Sequence, residues 1–373
     1  MPERPAPLIL VATGEAETTF GSYAAVAATG RQLLATELSR RLGRQGAAVV
    51  PLHPARLTSD FHWGRWFSGI ARGVLAGADG RVDAIGYAGA GSLALVDDNG
   101  LDALLSPIAG EAVANNRFSA DAFVVAGDLE RALTALEECP TDNAAARRLE
   151  ASGFSLRDLG NAGLARFDVD TPLDLALLRL ATRLPGTRTL DRSVASFLEM
   201  AVLPGGALLT LPRLEQIGEV MRDRRAELVV CGRLPSSVWS YLEKETACRV
   251  RAFVEERGMR SAGEHRPRSL LGALLRRSSP AELVAELARL GDAVILDSRV
   301  LMADLAGSPE KTDWPPAEER FASDFGDAAR VATPWLRELT EATSASETPF
   351  LLGGHALVSD GLRLLVEAAW LGR

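Results

Sequence analysis

Lysine is almost missing from this chain. Only Lys244 and Lys311 occur among 41 basic residues, and 41 less 2 leaves 39 arginines. No ammonium group is therefore available to a site built from the residues before 244. Cysteine is scarce as well: Cys139, Cys231 and Cys248 are odd in number and widely spaced. That excludes a disulfide framework and a CxxC metal knuckle, and it fits a reducing, cytoplasmic setting. No apolar run approaches the ~20 residues of a membrane span. The one short run near the start, in MPERPAPLILVATG, is unlike the core of a signal peptide. GxSxG, HExxH and GxxxxGK are all absent, which sets aside the usual serine hydrolase, zinc protease and P-loop readings. Positive charge is also in deficit. A formal charge of -8 gives no general attraction to nucleic acid polymers or anionic membranes, so a small ligand is the expected partner.

What is present is a chain that should fold throughout. At 373 residues with 47% hydrophobic and 24% charged residues, it is long enough for two ordinary cores. PLILVA (7 to 12) and RQLLATELSRRLGRQG (31 to 46) read as strand, then amphipathic helix. AAVVPL is a second strand, and WGRWFSGIARGVL sets Trp63, Trp66, Phe67, Ile70 and Val74 along one helical stripe. VDAIGYAG, DAFVVAG and ARFDVD read as further strands, separated by the helical stretches DLERALTALEEC and NAAARRLEASG. Alternation of this kind implies a mostly parallel sheet flanked by helices. PGTRT, beginning at 185, is the expected linker between a domain over 1–184 and a second, smaller α/β domain over 185–373.

The stretch ARFDVDTPLDLALLRL (165 to 180) admits two readings. As a helix start it is complete: Thr171 is an N-cap, Pro172 fits the first helical position, and Asp174 stands where a capping-box acid reaches back. As a site, Asp168 and Asp170 would project from one face of a strand at its carboxyl end, where α/β proteins bind ligands. Two such carboxylates suit a hard divalent cation such as Mg.

FDVDTPLDL resembles the late motif of the MobA-like and CofC-like nucleotidyltransferases. LLATELSRRL, FHWGRWF, AIGYAGAGSLALV and VANNRFSADAFVV follow that family's order over about residues 7–184. The resemblance implies a GT-A-like, Rossmann-like fold, a nucleotide as ligand, and Mg held by Asp121, Asp168 and Asp170. It marks Gly14, Gly89, Gly91, Ser92 and Asn116 as ligand-binding positions. The chemistry transfers less completely than the fold. Family members carry an arginine and a lysine in the loop after the first strand, whereas this loop holds Glu15 and Glu17 and no basic residue before Arg31. Acids beside a triphosphate repel it. The family's aspartate after the central strand is replaced by the run Gly89, Ala90, Gly91, Ser92. GAGSLA also fits a dinucleotide GxGxxA pattern, but no acid ends a following strand to hold a ribose, so a tight glycine turn is the preferred reading. The expectation is a diverged nucleotidyltransferase-like protein that binds a nucleotide or other anionic metabolite without the standard transfer. A metal-dependent transferase with an atypical site and a structural assembly partner are the alternatives.

In the second half, Arg257, Arg260, Arg299, Arg320, Asp324 and His355 fall at or near expected strand ends and loops. Guanidinium groups bind phosphate or carboxylate bidentately, and the Gly353-Gly354 turn before a helix can present N–H groups to an anion. Solvated ion pairs and a plain glycine turn would leave the same pattern. His355, after a strand and two glycines, is the candidate for acid–base work.

Overall fold

The computed structural model describes residues 5–13, 21–53, 61–78, 82–160, 164–259 and 266–371. It is α/β throughout and divides into two compact units that the chain enters more than once. The first comprises Met1–Glu17, Ala28–Asp170 and Thr187–Val194; the second comprises Thr18–Ala27, Thr171–Gly186 and Ala195–Arg373.

The first unit is built on six strands: β1 (Leu8–Ala12), β2 (Ala48–Leu52), β3 (Ala84–Ala88), β4 (Glu111–Ala114), β5 (Ala122–Ala126) and β6 (Ser155–Asp158). Their order is β2-β1-β3-β5-β4-β6, and β5 alone runs against its neighbours. Side chains alternate between two cores. Leu8, Leu10, Ile85, Tyr87 and Phe123 enter one, and Ile9, Val11, Ala84, Ala88 and Val124 enter the other. Burial on both faces explains why β1, β3 and β5 read as continuous apolar runs rather than alternating ones. The expected helical stripe is real in the helix Trp63–Ala76. Trp63 and Phe67 are buried, with Phe67 edge-on to Tyr87 and Phe123, and Trp66, Ile70 and Val74 pack at the margin.

One expectation fails here, and two strands go unforeseen. ARFDVD is not a strand: residues 165 and 166 turn, and 167 to 170 run extended without a ladder. Phe167 and Val169 are buried while Asp168 is half-buried and Asp170 exposed. The alternation that resembled a strand is thus an extended segment with its apolar residues inward. β4 and β6 are strands that the sequence hardly signals, because EAVA and SLRD are short and rich in weak β-formers. PGTRT contains a crossing between the units, at Gly186 and Thr187, and its second half is anchored in the first unit. Arg188 forms a buried ion pair with Glu37 at 2.7 Å and bonds the carbonyl of Ala94, while the Asp191 amide also reaches Glu37.

The second unit holds a smaller, fully parallel sheet. Its strands are β7 (Glu227–Gly232), β8 (Arg249–Val254), β9 (Ala293–Asp297) and β10 (Phe350–Gly353), in the order β10-β9-β7-β8. β7, β9 and β10 are almost wholly buried, whereas β8 is half-exposed at the edge. Among the described residues no helix is long and apolar enough to cross a membrane.

Candidate functional site

Parallel strands bring their following loops to one end of a sheet, so the carboxyl ends are where each unit can build a site. In the first unit the turn after β3 contains Gly89, Gly91 and Ser92. The Ser92 amide and hydroxyl both donate to the Gly89 carbonyl, at 3.2 and 2.8 Å, and the Gly89 amide donates to the Asp121 carbonyl at 2.8 Å. Gly91 is required by close approach. A Cβ there would lie 2.2 Å from the Val169 carbonyl oxygen and 2.9 Å from the Val169 nitrogen, and the Val169 amide donates to the Gly91 carbonyl at 3.2 Å. The second glycine of GAGSLA therefore admits the 167–170 segment.

The asparagine chosen from the sequence is the lesser of two. Asn116 is half-buried and accepts from the Phe118 amide at 3.1 Å. Its neighbour Asn115 is buried, accepts from the Ala122 amide at 3.0 Å and donates to the Ala165 carbonyl at 3.2 Å, tying β4, β5 and the 165 turn together. The apolar-to-polar switch at the end of AVANN is the signal that would have found it.

Carboxylates gather at this same end. Tyr87 donates to Asp142 at 3.4 Å, and its phenol is pushed well above the usual range by burial first, then by Asp142, Asp121 and Asp168. Asp121 and Asp168 thus share one acidic neighbourhood. Among the described residues, no group of three or more His, Cys, Asp or Glu side chains is arranged to hold a metal ion. Gly14 lies outside the described residues.

The helix reading of TPLDL is correct. In the second unit, Thr171 caps the helix Pro172–Ala181. Its hydroxyl accepts from the Asp174 amide at 3.2 Å, and the Asp174 carboxylate accepts from the Thr171 amide at 2.8 Å, with Pro172 in the first turn. Thr171→Ala is expected to lower the stability of this unit by about 1 kcal/mol in urea unfolding, with Thr171→Ser close to wild type.

At the carboxyl end of the second sheet, β7, β9 and β10 deliver Arg233, Asp297 and the Gly353-Gly354 turn. Asp297 is fully buried, and Arg233 grips it bidentately, Nε to Oδ2 at 2.6 Å and Nη2 to Oδ1 at 3.0 Å. Burial would push the Asp297 carboxyl up, but Arg233 outweighs it and holds the group below the ordinary carboxylate value, helped by His355 and Arg299. Gly232, at φ +122, leaves room for this pair: a Cβ there would sit 2.4 Å from the Asp297 Cβ.

Beside it Arg299 forms a second buried fork, Nη1 to Asp324 Oδ1 at 2.5 Å and Nη2 to Oδ2 at 2.7 Å. Burial opposes the Arg299 charge, and Asp324 more than restores it. Arg299 also bonds the Ser298 hydroxyl, which reaches the Gly353 carbonyl at 3.4 Å. Arg320 places its guanidinium over the Trp314 ring, 5.6 Å from the centroid. The helix Ser298–Ala306 starts directly after Asp297, and a helical run starts at exposed His355, so two helix N-termini share this end. That run contains a π-turn over Leu357–Gly361 with Ser359 off helical geometry, a feature often found beside functional sites.

Of the second-half residues singled out from sequence, Arg299, Arg320, Asp324, Gly353, Gly354 and His355 converge here. Arg257 is an exposed residue after β8, and Arg260 lies outside the described residues. Sequence reasoning missed Arg233 and Asp297. Both end apolar runs, VVCGR and VILD, so the rule that ligands sit at carboxyl strand ends would have flagged them. The cysteines play no part: burial pushes the Cys139 thiol to about 11 and the Cys231 thiol to about 12, so neither is a thiolate at neutral pH. No protein-family model, curated protein or solved structure matches the chain.

Proposed function

We propose that this protein is a diverged, nucleotidyltransferase-like binder of a small anionic metabolite, a nucleotide or a related phosphate or carboxylate, that does not run standard nucleotidyl transfer. The observation that carries the reading is the carboxyl end of the second sheet, where Arg233, Arg299 and Arg320 stand beside two helix N-termini. Arg233 uses its Nε and Nη2 groups on Asp297 and keeps the Nη1 side of the guanidinium fork for a ligand. The helical run that begins at His355 also starts at this end, and the positive end of its dipole favours an anion.

The sheet end of the first unit supports the other half of the reading. It offers Asp121, Asp142 and Asp168 around Tyr87, and both lysines of the chain lie in the second unit. A triphosphate there would meet negative charge with no ammonium supplied by that unit itself. The six-stranded sheet with one reversed strand is compatible with a GT-A-like fold. An atypical metal-dependent transferase is the second reading, favoured by the nearness of Asp121 and Asp168 to one phenol. A pyrophosphate-release assay with each nucleoside triphosphate and magnesium separates the two. No release above the protein-free rate is expected, and turnover abolished by Asp168→Ala would establish the second reading.

A further inference from the structure

β8 ends the second sheet, and among the described residues no strand lies beyond it. The Arg249 amide bonds Ala226 and the Glu255 amide bonds Gly232, each at 3.0 Å. Residues 249, 251, 253 and 255 therefore turn their peptide groups toward β7, and Val250, Ala252 and Val254 present theirs outward. The opposite edge strand, β10, is buried along its length. Proteins usually blunt an exposed edge with charge or a bulge. Here Arg249 and Arg251 are drawn to Glu227 on the neighbouring strand, at 3.8 and 2.7 Å, and among the described residues no backbone hydrogen bond reaches the amides of Val250, Ala252 or Val254.

We propose that this edge pairs antiparallel with the same edge of a second copy, joining two four-stranded sheets about a two-fold axis at Ala252. In that register Ala252 faces Ala252 and Val250 faces Val254, and the outward peptide groups meet as hydrogen-bonded pairs, about six bonds in all. Arg249 then stands opposite Glu255 of the second copy, and Arg251 opposite Phe253. A one-residue slip would put side chains on the wrong faces. A two-residue slip one way sets Arg251 against Arg251, a like-charge pair that weakens the ladder. A slip the other way needs Glu256 in the strand, but its φ of 52 takes it off the extended path.

The apolar surface fits the same occupant. Val254 is 48% exposed and Leu270 is 61% exposed. The Leu270 amide bonds the Glu255 carboxylate at 2.6 Å, which sets that leucine beside the end of β8. An isologous contact covers both copies of this patch at once.

Sedimentation equilibrium on the full chain tests the proposal. A concentration-dependent monomer–dimer equilibrium is expected. Ala252→Pro removes only an outward N–H and is tolerated by an edge strand, so it should raise the dimer dissociation constant at least about 30-fold while the fold persists by circular dichroism. Arg249→Glu, which puts like charges opposite each other, should raise it about fivefold. If Ala252→Pro fails to fold, Arg249→Glu and Val254→Lys carry the same test. A monomer at every concentration up to about 200 µM, or a dimer indifferent to these substitutions, overturns the proposal.

Discussion

Asp297→Asn should lower the stability of the second unit by about 3–5 kcal/mol at neutral pH, because it leaves Arg233 gripping a neutral amide in a buried site. For a unit of this size that is a fall in melting temperature of roughly 6–20 °C. The pH dependence gives the effect its signature. The Asp297 carboxyl is held below its ordinary value in the folded protein. Its contribution is therefore complete above the unfolded value near pH 3.9 and is lost as pH falls through the lower folded value. The variant should lose stability at pH 7, and its difference from wild type should shrink progressively as pH falls below the unfolded value. Urea unfolding from pH 7 to pH 2.5 measures this. Equal destabilisation at every pH would show that packing, not charge, holds the site. Arg233→Met combined with Asp297→Leu should recover much of the loss, since removing both charges avoids the unpaired one.

The second large effect lies in the first unit. Gly91→Ala should destabilise by about 3 kcal/mol or more, because the new methyl would meet the Val169 backbone, which has no side-chain freedom with which to yield. Gly89→Ala meets only the Asp121 carbonyl oxygen at 3.4 Å and Ser92 at 3.9 Å, so it should cost less than about 1 kcal/mol. Denaturant melts of the two variants compare them directly. A dinucleotide-type loop would lose ligand affinity in both with little change in stability. The close-approach account instead predicts a large stability loss in Gly91→Ala alone.

These two sites also mark what the sequence could convey. The long apolar runs of β1, β3, β5, β7, β9 and β10 were legible because each is buried on both faces, and the capped start at Thr171 was legible because its chemistry is local. The β4 and β6 strands were hidden because four residues with alanine and glutamate, or with arginine and aspartate, carry little periodic signal. ARFDVD misled because an extended segment that buries Phe167 and Val169 alternates as a strand does, and nothing in its own residues reports the absence of a ladder. The Gly91 requirement depends on a segment nearly eighty positions away. Arg299 and His355 were visible as polar residues after strands. Asp324 was singled out with them, whereas Arg233 and Asp297 became meaningful only once parallel pairing brought β7, β9 and β10 to one end.

The anion site itself is tested most directly by isothermal titration in EDTA, with inorganic phosphate, nucleoside mono- and triphosphates and a small dicarboxylate as probes. Arg233→Lys keeps the charge against Asp297 but loses the guanidinium fork. The account predicts metal-independent binding of at least one of these anions, weakened about tenfold or more in Arg233→Lys and unchanged in Asp168→Ala. Binding that requires magnesium and vanishes in Asp168→Ala, or no binding of any of these anions, would contradict it.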